Sequence, residues 1–373
     1  MLFDLPLGDA GAGIASLVPN SSVGSATPTF TRASSAYTRL SSGLFSLIAT
    51  GQPRSMYSAA GVYLGYWAEG ARADVLGTTA AIRRTMSDVG WVISGAGTGI
   101  TVATSTGVDG VASSCARLTC NTNGATILFT PGLAGAERTY SAWIKRITGS
   151  GNIQITGDGT NFTTQTVTTS FPNGPQQIDA GSVVPIVGIK MATAGDVVDV
   201  DFNTLEAATK ANPTPIPVNV SKAADDLTFP GAGNAGATTS TVYFEVSLTA
   251  WESAANQTML TVSGAGSANC IELDRFNATN VALRGNGVNA DTGLTLSDTT
   301  VHKVACSSDG TNSNVVVDGG TIYANTAGTG YVSPTQIAIG RAATAAGYEF
   351  GSIRNVRIYN RALSAAQLQA LTT

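Results

Sequence analysis

The chain has 373 residues, enough for two or three domains. Only 12% are charged, and 20 basic residues face 24 acidic ones without a basic cluster, which leaves no face for nucleic acid. The 43 glycines, a mean hydropathy of +0.15 and the lack of any apolar run near about 20 residues exclude a helical bundle, disorder and a membrane span. What remains is an all-β chain of short strands and small-residue turns.

Residues 1–28 are rich in Gly, Ala, Ser and Pro and are expected to form an arm that needs a partner. The opening segment lacks a basic stretch and carries Asp4 and Asp9, so no secretory leader is expected. Residues 29–76 gather Phe30, Tyr37, Phe45, Tyr57, Tyr63, Tyr66 and Trp67. That stretch is too short for its own core and should lean on something else.

Residues 77–210 alternate strand and turn signals and are expected to form a sandwich. In Thr139–Ile147, Tyr140, Ala142 and Ile144 alternate with Thr139, Ser141 and Lys145. Trp143 interrupts the polar face, as on a strand that lies near a partner surface. Residues 211–229 carry Pro213, Pro215 and Pro217, which predicts an extended connector and a domain boundary.

Residues 230–373 again predict strands, then a short C-terminal helix. Ser364 and Gln367 have capping-box spacing, and Leu368 and Leu371 supply an apolar face. The turn sequence Asp-Gly-Thr-Asn occurs at 158–161 and at 309–312. Cys115, Cys120, Cys270 and Cys306 contain no CxxC pair, and His302 is the sole histidine. Buried free thiols and no zinc are expected.

Three stretches resemble known families. Thr29–Ala36 (TFTRASSA), Pro53-Arg54 and Glu69–Leu76 (EGARADVL) are similar to the N-terminal module of phage and prophage virion proteins. Asp199–Asp226, with Leu205-Glu206 and Ala223-Ala224-Asp225, is similar to the closing strand of the carbohydrate-binding-module-like jelly roll in such proteins. Residues 300–371 resemble a laminin-G or concanavalin A-like sandwich, through His302-Lys303-Val304-Ala305 and Phe350–Ser364 (FGSIRNVRIYNRALS).

These resemblances imply an attachment region at 1–76, a jelly roll at 77–210, the linker at 211–229 and a lectin-like sandwich at 230–373. They imply a tail fibre or appendage subunit that is assembled in the host cytoplasm and displayed on the virion. Its partners would be other virion proteins, copies of itself and a host-surface glycan, without membrane insertion. A capsid decoration or head-fibre protein is the alternative, and a glycan-degrading enzyme the third reading. Virion attachment would fall to Phe30, Arg32, Arg54, Glu69 and Arg72. Glycan contacts would fall to Trp251, Tyr331 and Tyr348, whose rings can stack on a sugar face. No cofactor is expected beyond a calcium ion at Asp309, Asn312 and Asp318. Glu272 and Asp274 share one strand face, as glycosidase carboxylates do. The third acid of that enzyme pattern is replaced by Phe276 or Asn277, and His302 lacks a G-x-S-x-G partner, so no catalysis is expected.

Overall fold

Alternating apolar residues between Gly, Asn and Asp turns fold here into antiparallel sheets, and the molecule is all-β. The computed structural model describes residues 3–5, 28–77, 79–172, 174–208, 214–218, 221–248, 257–264, 270–276, 279–285, 288–297, 300–325, 333–343 and 351–373.

The first sandwich pairs two five-stranded sheets. One runs in the order Thr163–Gln165, Ile153–Thr156, Val187–Met191, Ala125–Phe129 and Trp91–Ile93. The other runs Gln176–Gly181, Arg138–Thr148, Val197–Glu206, Cys115–Cys120 and Ile100–Ser105. Tyr140, Ala142 and Ile144 point into the core with Ile127, Ile189 and Val200, in the alternation read from the sequence.

The second sandwich packs a seven-stranded sheet on an eight-stranded one. The seven run Thr29–Thr31, Asp226–Pro230, Gln336–Ile339, Gln257–Ser263, Cys270–Phe276, Asn280–Gly285 and Val288–Thr295. Along the eight-stranded sheet lie Tyr323–Asn325, Ser313–Val317, Val301–Ser308, Ser240–Leu248, Gly351–Tyr359, Tyr63–Ala68 and Ser55–Tyr57, and Phe3–Leu5 also pairs with Gly351–Tyr359. Leu227, Phe244, Leu260, Leu273, Ile337 and Ile353 fill the space between them. Ser364 caps the helix Ala365–Thr372 through the expected box with Gln367. The helix lays Leu368 over Tyr243, Ala305 and Val316 on the outside of the eight-stranded sheet. All four cysteines are buried free thiols.

The N-terminal region, set apart at 1–76 by sequence, leans on the second sandwich and joins its sheets. Thr29–Thr31 forms an edge of the seven-stranded sheet beside Asp226–Pro230, and Tyr63–Ala68 pairs with Gly351–Tyr359. Tyr66 and Ala68 lie in the second core. The second sandwich is therefore discontinuous in sequence, and the first is inserted into it. The connector is also not a free spacer along its described length, because Lys222 and Asp225 are buried and residues 226–229 belong to a strand. The physical reason is that the aromatics of 29–76 cannot bury themselves alone, and the core of the second sandwich is the apolar surface within reach.

A fragment of residues 221–373 would lack these strands and expose the apolar edge around Leu227 and Ile353. Each such side chain contributes roughly 1.5–3 kcal/mol when fully buried. The fragment should be insoluble or unfolded alone and recover dispersed amide signals when residues 28–76 are supplied in trans. A stable, well-dispersed spectrum from the fragment alone would contradict this insertion topology.

Candidate functional site

The charged residues singled out near the N-terminus converge in the fold. Arg32 Nη1 lies 2.9 Å from Asp225 Oδ1, and Arg54 Nη2 lies 2.9 Å from Glu69 Oε2 and also bonds Asp225. Lys222 Nζ reaches Glu69 Oε2 at 3.0 Å, and all five side chains are wholly shielded from solvent. The Thr214 hydroxyl donates to Glu69 at 2.9 Å. The outer donors of the cations end on main-chain carbonyls: Arg32 on Ala49, Arg54 on Tyr37 and Lys222 on Gly70. Burial would raise the Glu69 carboxyl, but the adjacent Lys222 and Arg54 charges outweigh it and hold it down to about 2.

Phe30 packs edge-on to Tyr66 at the rim of this cluster, and Arg72 approaches Glu206 of the first sandwich at 3.9 Å. With Arg32, Arg54 and Glu69 sealed inside, these side chains hold the chain to itself. Lys222 and Asp225 were not assigned a role by sequence. The one signal for them was the Ala223-Ala224-Asp225 match, which gives position but not partner.

Trp143 stands on the outer face of the first sandwich, and the partner surface expected beside it is the chain's own hairpin Ala36–Ile48. Phe45 meets Trp143 edge-on at 6.0 Å, and Tyr37 meets Phe202 at 5.0 Å. Phe202 reaches that face because the strand bulges opposite Ser141–Trp143 and takes a positive φ of 44° there. Arg84 stacks on Phe202 at 4.2 Å while its guanidinium grips Asp201 at 2.8 and 2.9 Å. This aromatic platform is closed by the protein itself.

The outer face of the seven-stranded sheet is different in kind. Its residues alternate with the core set: Asp226, Thr261, Glu272, Asp274, Arg284 and Asp291 share the side away from the core. Arg341 Nε binds Asp226 at 2.7 Å, and Arg284 Nε binds Asp274 Oδ2 at 2.8 Å. Glu272 accepts from Thr261 Oγ1 at 3.3 Å and from the Ala343 amide at 3.1 Å. Asn280 donates to both oxygens of Asp291 at the exposed end. Burial, then the Glu272 charge, pushes the Asp274 carboxyl up to about 7. Charged groups in alternation across adjacent strands, with Arg284 and Asp291 reaching solvent, make this the candidate site.

Trp251, Tyr331 and Tyr348 lie outside the described residues. The calcium expectation needs correction, because its three residues do not converge. Asp309 and Asn312 close one end of the hairpin, where Asp309 Oδ1 accepts the Thr311 and Asn312 amides. Asp318 sits at the other end and binds His302 Nδ1 at 2.6 Å and the Lys303 amide at 2.8 Å. The Asp309 carboxylate is thus used within its turn and the Asp318 carboxylate on the neighbouring strand. Among the described residues, no three His, Cys, Asp or Glu side chains gather in a metal-binding group.

His302 was expected to be structural, and its contacts have an unexpected order. Ser297, with its Oγ at 3.1 Å from Nε2, stands opposite Asp318 as in a hydrolytic triad. The Ser297 main-chain N–H also donates to Nε2 at 2.9 Å, however, and so takes the lone pair a base would use. The imidazole ties Ser297 to Asp318.

Replacing Glu69 by Gln should destabilise the protein by about 3–5 kcal/mol, because three buried cations would then share one carboxylate. Coupling Glu69→Gln with Lys222→Met should recover much of that loss, and denaturant titration of both variants checks it. The folded Glu69 pKa lies below its ordinary value, so its contribution is present above about pH 4.5 and is lost as pH falls toward 2. Asp274 has the opposite sign: its raised pKa favours folding below its ordinary value and costs stability as pH rises through about 7. Asp274→Asn should therefore raise the melting temperature at pH 8 and leave it nearly unchanged at pH 4, by calorimetry.

Residues 221–369 match the family described as the concanavalin A-like lectin/glucanases superfamily, so the second sandwich is a concanavalin A-like domain. No curated protein sequence matches the chain significantly. Among solved structures, the chain is similar to the CBM40 of the Ruminococcus gnavus IT-sialidase bound to alpha2,3 sialyllactose. The identity there is 16% over 37% of this chain and 84% of that one, with a TM-score of 0.31. Domain 4 of AbnA, a GH43 extracellular arabinanase from Geobacillus stearothermophilus in complex with arabinotriose, is 16% identical over 40% of this chain and 73% of that one, with a TM-score of 0.34. The CBM22-1–CBM22-2 tandem domain of Paenibacillus barcinonensis Xyn10C is 11% identical over 79% and 98% of the two chains, with a TM-score of 0.27.

Proposed function

We propose that the chain is a non-catalytic virion component, a tail fibre or appendage subunit, that meets a host-surface glycan with its concanavalin A-like sandwich. The observation that carries the glycan reading is the lectin/glucanase match over residues 221–369, in a domain whose outer sheet face is polar. The virion reading rests on the resemblance of Thr29–Ala36, Pro53-Arg54 and Glu69–Leu76 to phage attachment modules. Against a hydrolase stands the state of the acids. Asp274 is buried against Arg284, and Glu272 is held by Thr261 and an amide, whereas glycoside cleavage needs two carboxyls flanking the sugar bond.

The exposed end of that face, with Asn280, Arg284 and Asp291, is where a polar ligand has access. The full-length protein, used because the domain needs residues 28–76, should adsorb to host cells and compete with particles for infection. Asp291→Ala should weaken that adsorption, and immunogold microscopy should place the protein on the appendage. Normal adsorption by particles lacking it would favour capsid decoration, and release of sugar from a host polysaccharide would overturn the non-catalytic reading.

A further inference from the structure

Arg284 stands between two carboxylates on the outer face of the seven-stranded sheet. It lies directly opposite Glu272, and its Nε leans across to Asp274 Oδ2 at 2.8 Å. The residue opposite Asp274 on the same strand is Ala282, small enough to leave room for this diagonal reach. Both acids are buried, whereas the Arg284 side chain is 28% exposed. The guanidinium is therefore the member of this trio that a ligand in solvent can touch.

The two acids differ in what else holds them. Glu272 accepts from Thr261 Oγ1 and from the Ala343 amide. Asp274 faces the uncharged Thr258 on one side, and Arg284 supplies its counter-charge from the other. Elsewhere on the face, Arg341 is engaged by Asp226, and the exposed Asp291 takes its bonds from Asn280. Cys270, two residues before Glu272, stays a neutral thiol, pushed up to about 12 by burial and then by the two acids. Among the described residues, the cation that bears on Asp274 is Arg284.

Two buried carboxylates on one strand face repel, and with their cation drawn away one of them has to hold a proton. We infer that glycan binding on this face is proton-linked: sugar oxygens that draw the Arg284 guanidinium outward leave Asp274 without its counter-charge, and Asp274 takes up one proton from solvent. The proton goes to Asp274 because Glu272 keeps two donors of its own. This coupling rests on the glycan reading of the same face and adds its regulation. In the free protein, burial and then the Glu272 charge already push Asp274 up to about 7, and withdrawal of Arg284 raises it further. Below that pH the proton is in place before the ligand arrives. Above it, binding has to take the proton up and weakens by as much as about 10-fold per pH unit.

Adsorption of the full-length protein to host cells, followed from about pH 6 to about pH 9, should hold steady at first and then fall above about 7. Circular dichroism at each pH checks that the fold persists. Asp274→Asn needs no proton and should keep its low-pH adsorption throughout. The ratio of wild type to this variant cancels any titration of the host surface, and it should drop by up to about 10-fold per pH unit above neutrality. Glu272→Gln, which removes the repulsion, should shrink the drop. Arg284→Gln should adsorb weakly, with a flat profile. The same pH profile in wild type and in Asp274→Asn would overturn the coupling and leave the glycan reading standing. Adsorption that rises with pH relative to the variant would do the same. No adsorption at any pH would overturn both.

Discussion

Five ionised side chains without solvent contact are an expensive thing to place inside a protein. Each loses several kcal/mol of hydration, and only close opposite charges with filled hydrogen bonds offset that loss. The cluster of Arg32, Arg54, Glu69, Lys222 and Asp225 offsets it with ion pairs near 3 Å and with carbonyls for one outer donor of each cation. Such a group adds little net stability over an apolar equivalent. What it adds is an arrangement in which no member can be displaced without stranding another. Three members lie before the first sandwich in sequence and two after it, so the cluster fixes where the chain leaves the second sandwich and where it returns.

That geometry explains why the N-terminal segment has no core of its own. Its short strands supply an edge to the seven-stranded sheet and a flank to the eight-stranded one. Its hairpin supplies the aromatic lid on Trp143. A single stretch of chain thereby joins both sandwiches, and the ion cluster lies where the two attachments meet.

The all-β class was legible because alternation along Thr139–Ile147 and along the closing Gly351–Tyr359 strand directly encodes which face is buried. The C-terminal cap was legible because Ser364 and Gln367 act within one turn. Strand exchange between distant segments was not, since nothing local in Tyr63–Ala68 names Gly351–Tyr359 as its neighbour. The prolines at 213–217 argued for an extended connector by composition alone, while the burial of Lys222 and Asp225 is set by partners about 150–190 residues away. The candidate site was half legible. Glu272 and Asp274 were found on one strand face, but Arg284 and Asp291 come from the next two strands. The calcium set failed for a related reason, because a short separation in sequence hid opposite ends of one hairpin.

The two sandwiches present contrasting outer faces, and the contrast bears on which can serve a ligand. On the first, Trp143 and Phe202 form the kind of aromatic platform a sugar ring would stack on. It is already filled by Tyr37 and Phe45, and vacating it would expose those rings together with the Asp201–Arg84 pair beneath them. On the second, the polar row from Asp226 to Asp291 pairs its carboxylates Asp226 and Asp274 with Arg341 and Arg284 and leaves its last strands open to water. A ligand arriving there need not displace an aromatic cluster. It has only to exchange water for hydrogen bonds at the rim, which costs far less than prising the hairpin away. The first sandwich is thus suited to hold the chain together, whereas the second keeps a polar edge open to water.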